Sequence, residues 1–448
     1  PQELLAHFWK WKHGLECPVP QFLRKQDLAH VAPDTPFAVL VPANPKKHAA
    51  FLTELKEQPL LTNVVFVGMP GLVVLGVGFA ASMYFKHVTF ILPDVTTIKG
   101  NCLYQCPALR SVDFSGCSAL QSIADNWVAD CKQLKTANFS SLVNLNKVGS
   151  GWLAMCNALE SVNFSGLTSL AVVGDAWMNE CKSLKRVAFT GLCTLQTVGS
   201  QWLASCDQLV QPDFSGLVNL EFVMNRWMFN CAQLQAPGFA GLCKLSRVGN
   251  EWLAECFQLV SPDFTGLVKL RLVRNKWMFK CSSLQKPTFA GLKMLGCICD
   301  EWMAECENLT QPDFTGLQQL ENVGDQWLHL CNKLQTPTFT GLINLAQVGK
   351  QWLAECNQLT KPNFAGLDQL SEVEAKWMFR CHSLKDPEFT GLNALVQVGC
   401  EWLAECDQLV TPDFSALKKL KRVFNRWMFK CESLPKPTFN GLEVLEFV

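Results

Sequence analysis

No charge of either sign dominates this chain. Its 39 Lys and Arg stand against 39 Asp and Glu, and charged residues fill only 17% of 448 positions. A neutral chain that is 49% hydrophobic is neither a disordered tail nor a basic arm for nucleic acid. Catalytic signatures are missing as well: there is no phosphate-binding loop, no nucleophile elbow and no H-E-x-x-H, and the seven histidines (His7, His13, His30, His48, His87, His329 and His382) are scattered. No catalytic residue is therefore assigned and the chain is expected not to be an enzyme. C-x-x-C is absent among 22 cysteines, and neither Cys102 with Cys106 nor Cys297 with Cys299 has a histidine close by in sequence. No metal and no cofactor is expected on that ground.

What the chain does have is periodicity. Tryptophan recurs every 25 residues at Trp127, Trp152, Trp177, Trp202, Trp227, Trp252 and onward to Trp427. Cysteine keeps the same step through Cys106, Cys131, Cys156, Cys181, Cys206 and on to Cys431, and phenylalanine does so from Phe114 to Phe439. One unit reads C-x-x-L-x-x-[V/P]-x-F-x-G-L-x-x-L-x-x-V-x-x-x-W-[L/M]-x-x. A unit this short cannot bury its own apolar face, so neighbours must stack and share one core, which makes a solenoid. In L-x-x-[V/P]-x-F the apolar residues have strand spacing, and a second short run, as in Leu145 and Val148, leads to Trp152, Leu153 and Cys156. Those three sit at i, i+1 and i+4, one face of a short helical turn. Each coil is thus expected to be strand, strand, helical turn, with parallel strands of successive coils about 4.8 Å apart.

The C-x-x-L core, the later L-x-x-[I/V]-G and the bulky residue four before the next cysteine resemble the BspA-type leucine-rich repeat of bacterial surface antigens and many protists. The resemblance covers residues 60–448. It implies a right-handed solenoid of parallel strands with short helical turns, used for adhesion or scaffolding. This chain departs from the family pattern twice: its unit is 25 residues rather than about 23, with Trp-Leu or Trp-Met in place of Ala-Phe. From Pro212 through Pro237 and Pro262 to Pro437, proline also takes the apolar place in the first strand. Proline lacks the N–H a ladder needs, so that strand should be short.

The sequence divides into a non-repeat segment over 1–59, two shorter repeats of about 23 residues over 60–105, and tandem 25-residue repeats over 106–448, the last incomplete. In the first segment Leu4, Leu5, Phe8 and Trp9 suit one face of a short helix, Phe37 to Val41 a strand, and 47–56 another helix. A cap on the first open coil is expected there, or a docking element. Residues 64–85 carry no charge and are long enough to span a bilayer, but they keep the repeat frame and include Pro70 and four glycines, so buried repeats are expected over a transmembrane helix. The chain starts without Met and stops in mid-repeat, which points to further residues at both ends.

Cysteines and tryptophans at one position per coil read as buried structural ladders. That many thiols at strand spacing favour a reducing, intracellular compartment, whereas the sequons at Asn138, Asn163 and Asn308 pull weakly toward secretion. A second period, of 50 residues, runs along the Trp flank. Glu251 and Glu255, Glu301 and Glu305, and Glu401 and Glu405 alternate with Lys276 and Lys280, Lys376 and Arg380, and Arg426 and Lys430. Stacking sets plus beside minus and Phe279 between Ala254 and Ala304. The coil of Trp327 breaks this rule with His329 and Leu330, which suggests a partner contact there. The other expected contacts lie on the strand face: Gln211, Asp213, Asp263, Asp313, Lys361 and Glu388.

These observations point to a non-enzymatic scaffold or structural subunit of a larger intracellular assembly. Its partners would be protein subunits, with no nucleic acid and with membrane contact the lesser prospect. The rival is a cell-surface adhesin or receptor ectodomain, anchored through 64–85 or elsewhere.

Overall fold

The computed structural model describes residues 37–56, 61–435 and 439–446. The helix expected around Leu4 and Phe8 lies outside them. Two compact units, Pro1–Cys206 and Asp207–Val448, are built from the same coil.

In the first unit, Phe37–Val41, Asn63–Gly68, His87–Ile91, Ser111–Gly116, Thr136–Asn138 and Ser161–Asn163 lie side by side in chain order, every pair parallel. The helix His48–Lys56 follows the first of these strands. Its His48 is buried, stands edge-on to Phe79 and accepts the Gly76 N–H on Nδ1 at 3.2 Å, which ties the helix to the first full coil. Residues 64–85 form the strand Asn63–Gly68, the strand Val74–Leu75 and a turn, and no helix among the described residues is long and apolar enough to cross a membrane. Asn63 pairs with His87 and Val74 with Thr97, steps of 24 and 23 residues, before the step settles at 25. A register shift between Thr89 and Ile91 absorbs the change: Thr89 faces Asp113, Ile91 faces Gly116.

A second sheet of two-residue strands runs from Val74–Leu75 to Thr197–Val198 in the first unit, and from Phe222–Val223 to Arg422–Val423 in the second. In each strand one side chain, such as Val148 or Val248, is buried and its neighbour faces out.

The Trp segment is not the helical turn that its apolar spacing suggests. Residues one before, one after and three after the tryptophan all have positive φ, as in Glu251 (60°), Leu253 (56°) and Glu255 (57°) around Trp252. The pattern recurs in fifteen coils, six in the first unit and nine in the second, with Phe79 and Cys102 in the place of tryptophan in the first two, and accounts for all 43 non-glycine residues of positive φ among those described. The sign alternation turns successive N–H groups toward opposite neighbours. Glu251 N–H donates to Asn275 O and Glu255 N–H to Phe279 O in the following coil, whereas Leu253 N–H donates to Trp227 O in the preceding one. A right-handed helix would keep those bonds inside the coil. The turn is therefore a third stacking element. Each left-handed residue costs roughly 1 kcal/mol, offset by a hydrogen bond that ties two coils together.

Side chains complete the stack. Trp127, Trp152, Trp177, Trp202, Trp227 and Trp252 are fully buried, and within each unit neighbouring indoles stack, with centroids 5.3 Å apart for Trp152 and Trp177 and for Trp252 and Trp277. Phe264 stands at 68° to Trp252 and 70° to Trp277, so ring edges meet ring faces. The indole N–H of Trp252 is buried with no hydrogen-bond acceptor. Cys131, Cys156, Cys181 and Cys206 are fully buried as well. Ladder thiols donate to the carbonyl of the residue after the tryptophan one coil back, as Cys156 does to Val128 O at 3.1 Å and Cys306 to Met278 O at 3.2 Å. Burial pushes Cys306, Cys356 and Cys406 up to about 12, so these thiols stay protonated and unreactive.

Candidate partner-binding face

The first strand of each coil presents alternate side chains to solvent. In the first unit these are small and polar: Ser111 and Asp113, Thr136 and Asn138, Ser161 and Asn163 line a groove of 460 Å³ along paired strands. In the second unit proline stands at the middle position, buried, with Gln211 and Asp213 exposed on either side of Pro212. Proline's effect exceeds shortening. Beyond Gln211–Asp213 the strand of the second unit shrinks to the single bridges Gly238–Asp263, Thr288–Asp313, Thr338–Asn363 and Glu388–Asp413. Coils are thus joined in twos on this face. Among the described residues no bridge links Asp263 to Thr288, Asp313 to Thr338 or Asn363 to Glu388.

The aspartates expected to meet a partner also have a local task. Asp213 Oδ1 accepts the Ser215 N–H, Asp263 the Thr265 N–H and Asp313 the Thr315 N–H, at 2.9, 2.9 and 3.0 Å. Asn363 does the same for Ala365 and Asp413 for Ser415. Each carboxylate closes the turn after the strand. The Ser415 N–H holds the Asp413 carboxyl below its usual range, with further help from the Ser415 side chain. Lys361 and Glu388, both exposed, pair at 2.7 Å. No signal beyond D-F-[S/T] marked this turn role, and the same letters fit a binding face equally well.

His329 and Leu330 belong to the Trp turn and not to the strand, so the structure does not bring them together with the aspartates. The flank they sit on is laddered with charge. Lys276 reaches Glu301 at 3.5 Å, Lys280 reaches Glu305 at 3.3 Å, and Arg380 reaches Glu405 at 2.8 Å. Phe279 is buried between Ala254 and Ala304, and Phe379 between Ala354 and Ala404. Each ring carries two cations of its own coil, Lys276 at 5.1 Å and Lys280 at 4.9 Å over Phe279. His329 takes the phenylalanine slot with its Nε2 3.6 Å from Glu355 Oε1, and Leu330 is half-buried. Exposed pairs of this kind contribute at most about 1 kcal/mol each.

Asn308, one of the three sequon asparagines, donates through its amide to Ser282 O, and Asn138 donates to Asp113. Among the described residues no group of three or more His, Cys, Asp or Glu side chains is placed to hold a metal ion.

A family model for the BspA-type leucine-rich repeat region matches six copies, over residues 78–171 and 298–434. Among solved structures, a leucine-rich repeat protein from Bacteroides ovatus is 19% identical, with 67% of this chain and 82% of that one covered and a TM-score of 0.46. A leucine-rich cell surface protein from Faecalibacterium prausnitzii is 14% identical, with 79% and 83% covered and a TM-score of 0.38. The pneumococcal vaccine antigen PcpA is 12% identical, with 68% and 74% covered and a TM-score of 0.36. No curated protein matches the chain.

Proposed function

The chain belongs to the BspA-type leucine-rich repeat family, and on that premise we propose that it is a non-catalytic binding array, a scaffold or structural subunit inside a larger intracellular protein assembly. Proteins of this family are repeat proteins that generally bind other proteins and generally lack catalytic activity. The observation that carries the reading is the contrast within each coil. The core and Trp turn are closed by their own ladders, while the first strand keeps exposed polar side chains that no neighbouring coil fully uses. Gln211, Asp213, Asp263, Asp313, Lys361 and Glu388 supply that face, with the free carboxylate oxygens available to donors of a partner. Such an array recognises by shape and distributed polar contact. His329 and Leu330 offer a second contact on the flank.

The intracellular location is supported by two features. Ladder thiols such as Cys156, Cys256 and Cys306 act as hydrogen-bond donors to main-chain carbonyls, a role that needs the reduced form. The amide nitrogen of Asn308, the atom a glycan would take, already donates to Ser282 O.

Cross-linking mass spectrometry on native material, with thiols labelled in the same sample, tests the reading. Cross-links from the strand face to a fixed set of intracellular proteins, with unoxidised cysteines, are expected. Oxidised cysteines and cross-links only to extracellular proteins would replace the scaffold with the adhesin. Replacing Leu330 with Lys should weaken partner binding, and undiminished binding would remove the flank contact.

A further inference from the structure

The coil of Trp302 differs from its neighbours at two places on the second sheet. Five residues before the tryptophan, the two adjoining coils carry Leu272 and Asn322 and the one beyond carries Gln347; here stands Cys297. Three residues before it, Gly249, Gly324 and Gly349 occupy other coils; here stands Cys299. Ile298 between them is buried, and both cysteines are half exposed. Cys297 belongs to the strand Cys297–Ile298 and Cys299 directly follows it, so both flank the buried Ile298 from the outer side. With Asp300, Gln347, Glu372 and Glu374 they line a groove of 340 Å³. They are close enough to act on one another's ionisation, with burial the main cause that raises both thiols.

The backbone under this pair is fixed. Ile298 O accepts the Gly324 N–H at 3.0 Å and Cys299 N–H donates to Val273 O at 3.1 Å, so the segment is held by the coils on both sides. Same-side positions on an extended strand have Cα atoms roughly 6.6 Å apart, at the outer limit of the ~4.4–6.8 Å that a disulfide spans. A metal ion asks less of the backbone, because two metal–sulfur bonds of about 2.3 Å laid end to end bridge about 4.6 Å. Paired thiolates with no third ligand suit a soft ion that is content with two donors, and thiolate sulfur selects copper(I). Around Cys299 the charge of Arg274 favours the thiolate and that of Asp300 opposes it.

We propose that Cys297 and Cys299 form a two-coordinate site for a soft monovalent cation, copper(I), on the outer side of the second sheet. Binding releases both thiol protons to solvent, forms two copper–sulfur bonds and leaves the oxidation state of the metal unchanged.

The test is an anaerobic titration of the full chain against copper(I) held by a coloured chelator such as bicinchoninate. The unmodified protein should withdraw one equivalent. The variant Cys297→Gln with Cys299→Gly, which installs the residues of neighbouring coils and so preserves the stack, should withdraw none. Cys243→Ser with Cys400→Ser, which removes two exposed but separated thiols, should leave the uptake intact. Equal uptake by the unmodified protein and the Gln/Gly variant would overturn the site. So would an unmodified protein that takes no copper yet forms a Cys297–Cys299 disulfide when exposed to oxidised glutathione, since the pair would then be a redox couple.

Discussion

The two units use one coil with two different first strands. In the first unit Val112, Ala137 and Val162 occupy the middle of that strand, and the ladder runs from Phe37–Val41 to Ser161–Asn163, stopping short of the last strand of the unit, Arg186–Ala188, which has Val187 in its middle. In the second unit proline takes the same place, and past Gln211–Asp213 the ladder falls to single bridges that join coils in twos. The second sheet and the Trp turn are nevertheless the same in both. The stack is therefore held by the Trp turn and the two-residue strands, and the first strand is the element free to vary. Freedom of that kind is what a recognition surface needs.

The largest expected effect comes from attacking what the units share. Trp302→Ala removes a fully buried ring stacked at 5.5 Å on Trp277 and 5.3 Å on Trp327. It should cost about 3–5 kcal/mol, seen as a lowered urea midpoint by circular dichroism. The first strand should respond differently in the two units. Ala137→Pro, inside an intact ladder, should cost about 3 kcal/mol, whereas Pro262→Val should change the stability by less than about 1 kcal/mol. Equal responses would end the distinction between the units. Cys306→Ala leaves Met278 O without its thiol donor and should cost about 2 kcal/mol, with Cys156→Ala, which strips Val128 O, matching it in the other unit. The smallest effect is on acid sensitivity. Asp413 has its folded pKa depressed, so its contribution is full above the ordinary carboxylate value and is lost as pH falls through the folded value. Asp413→Asn should keep the turn, as Asn363 does, and flatten the fall in urea midpoint between pH ~6 and ~3.

Much of this architecture can be read from spacing alone. The period of 25, the strand-like L-x-x-[V/P]-x-F and the large-small, plus-minus alternation lead directly to stacked parallel strands and to Phe279 between Ala254 and Ala304. The conformation of the Trp turn cannot be read that way. Positive φ is normally announced by glycine or asparagine, and apart from Gly78, Gly151 and a few asparagines these positions hold mostly Leu, Met, Glu, Lys, Arg and Gln, with a few Ala, Ser, Val and Asp. Their conformation is imposed by hydrogen bonds to other coils, which no local pattern records. The candidate face was legible as a row of exposed positions, but the turn-closing role of Asp213, Asp263 and Asp313 was not, because one carboxylate oxygen can serve the backbone while the other remains available.

The alternation of acidic and basic turns has a consequence for parity. Inserting a single coil beside Lys276 or Glu301 would set like charges face to face, or Phe279 against another phenylalanine, and would shift every later bridge on the first strand out of its couple. Inserting two coils changes none of this. The second unit can be lengthened or shortened without redesign, but only in even numbers, so its heritable quantum of growth is fifty residues, twice the repeat that the eye first finds.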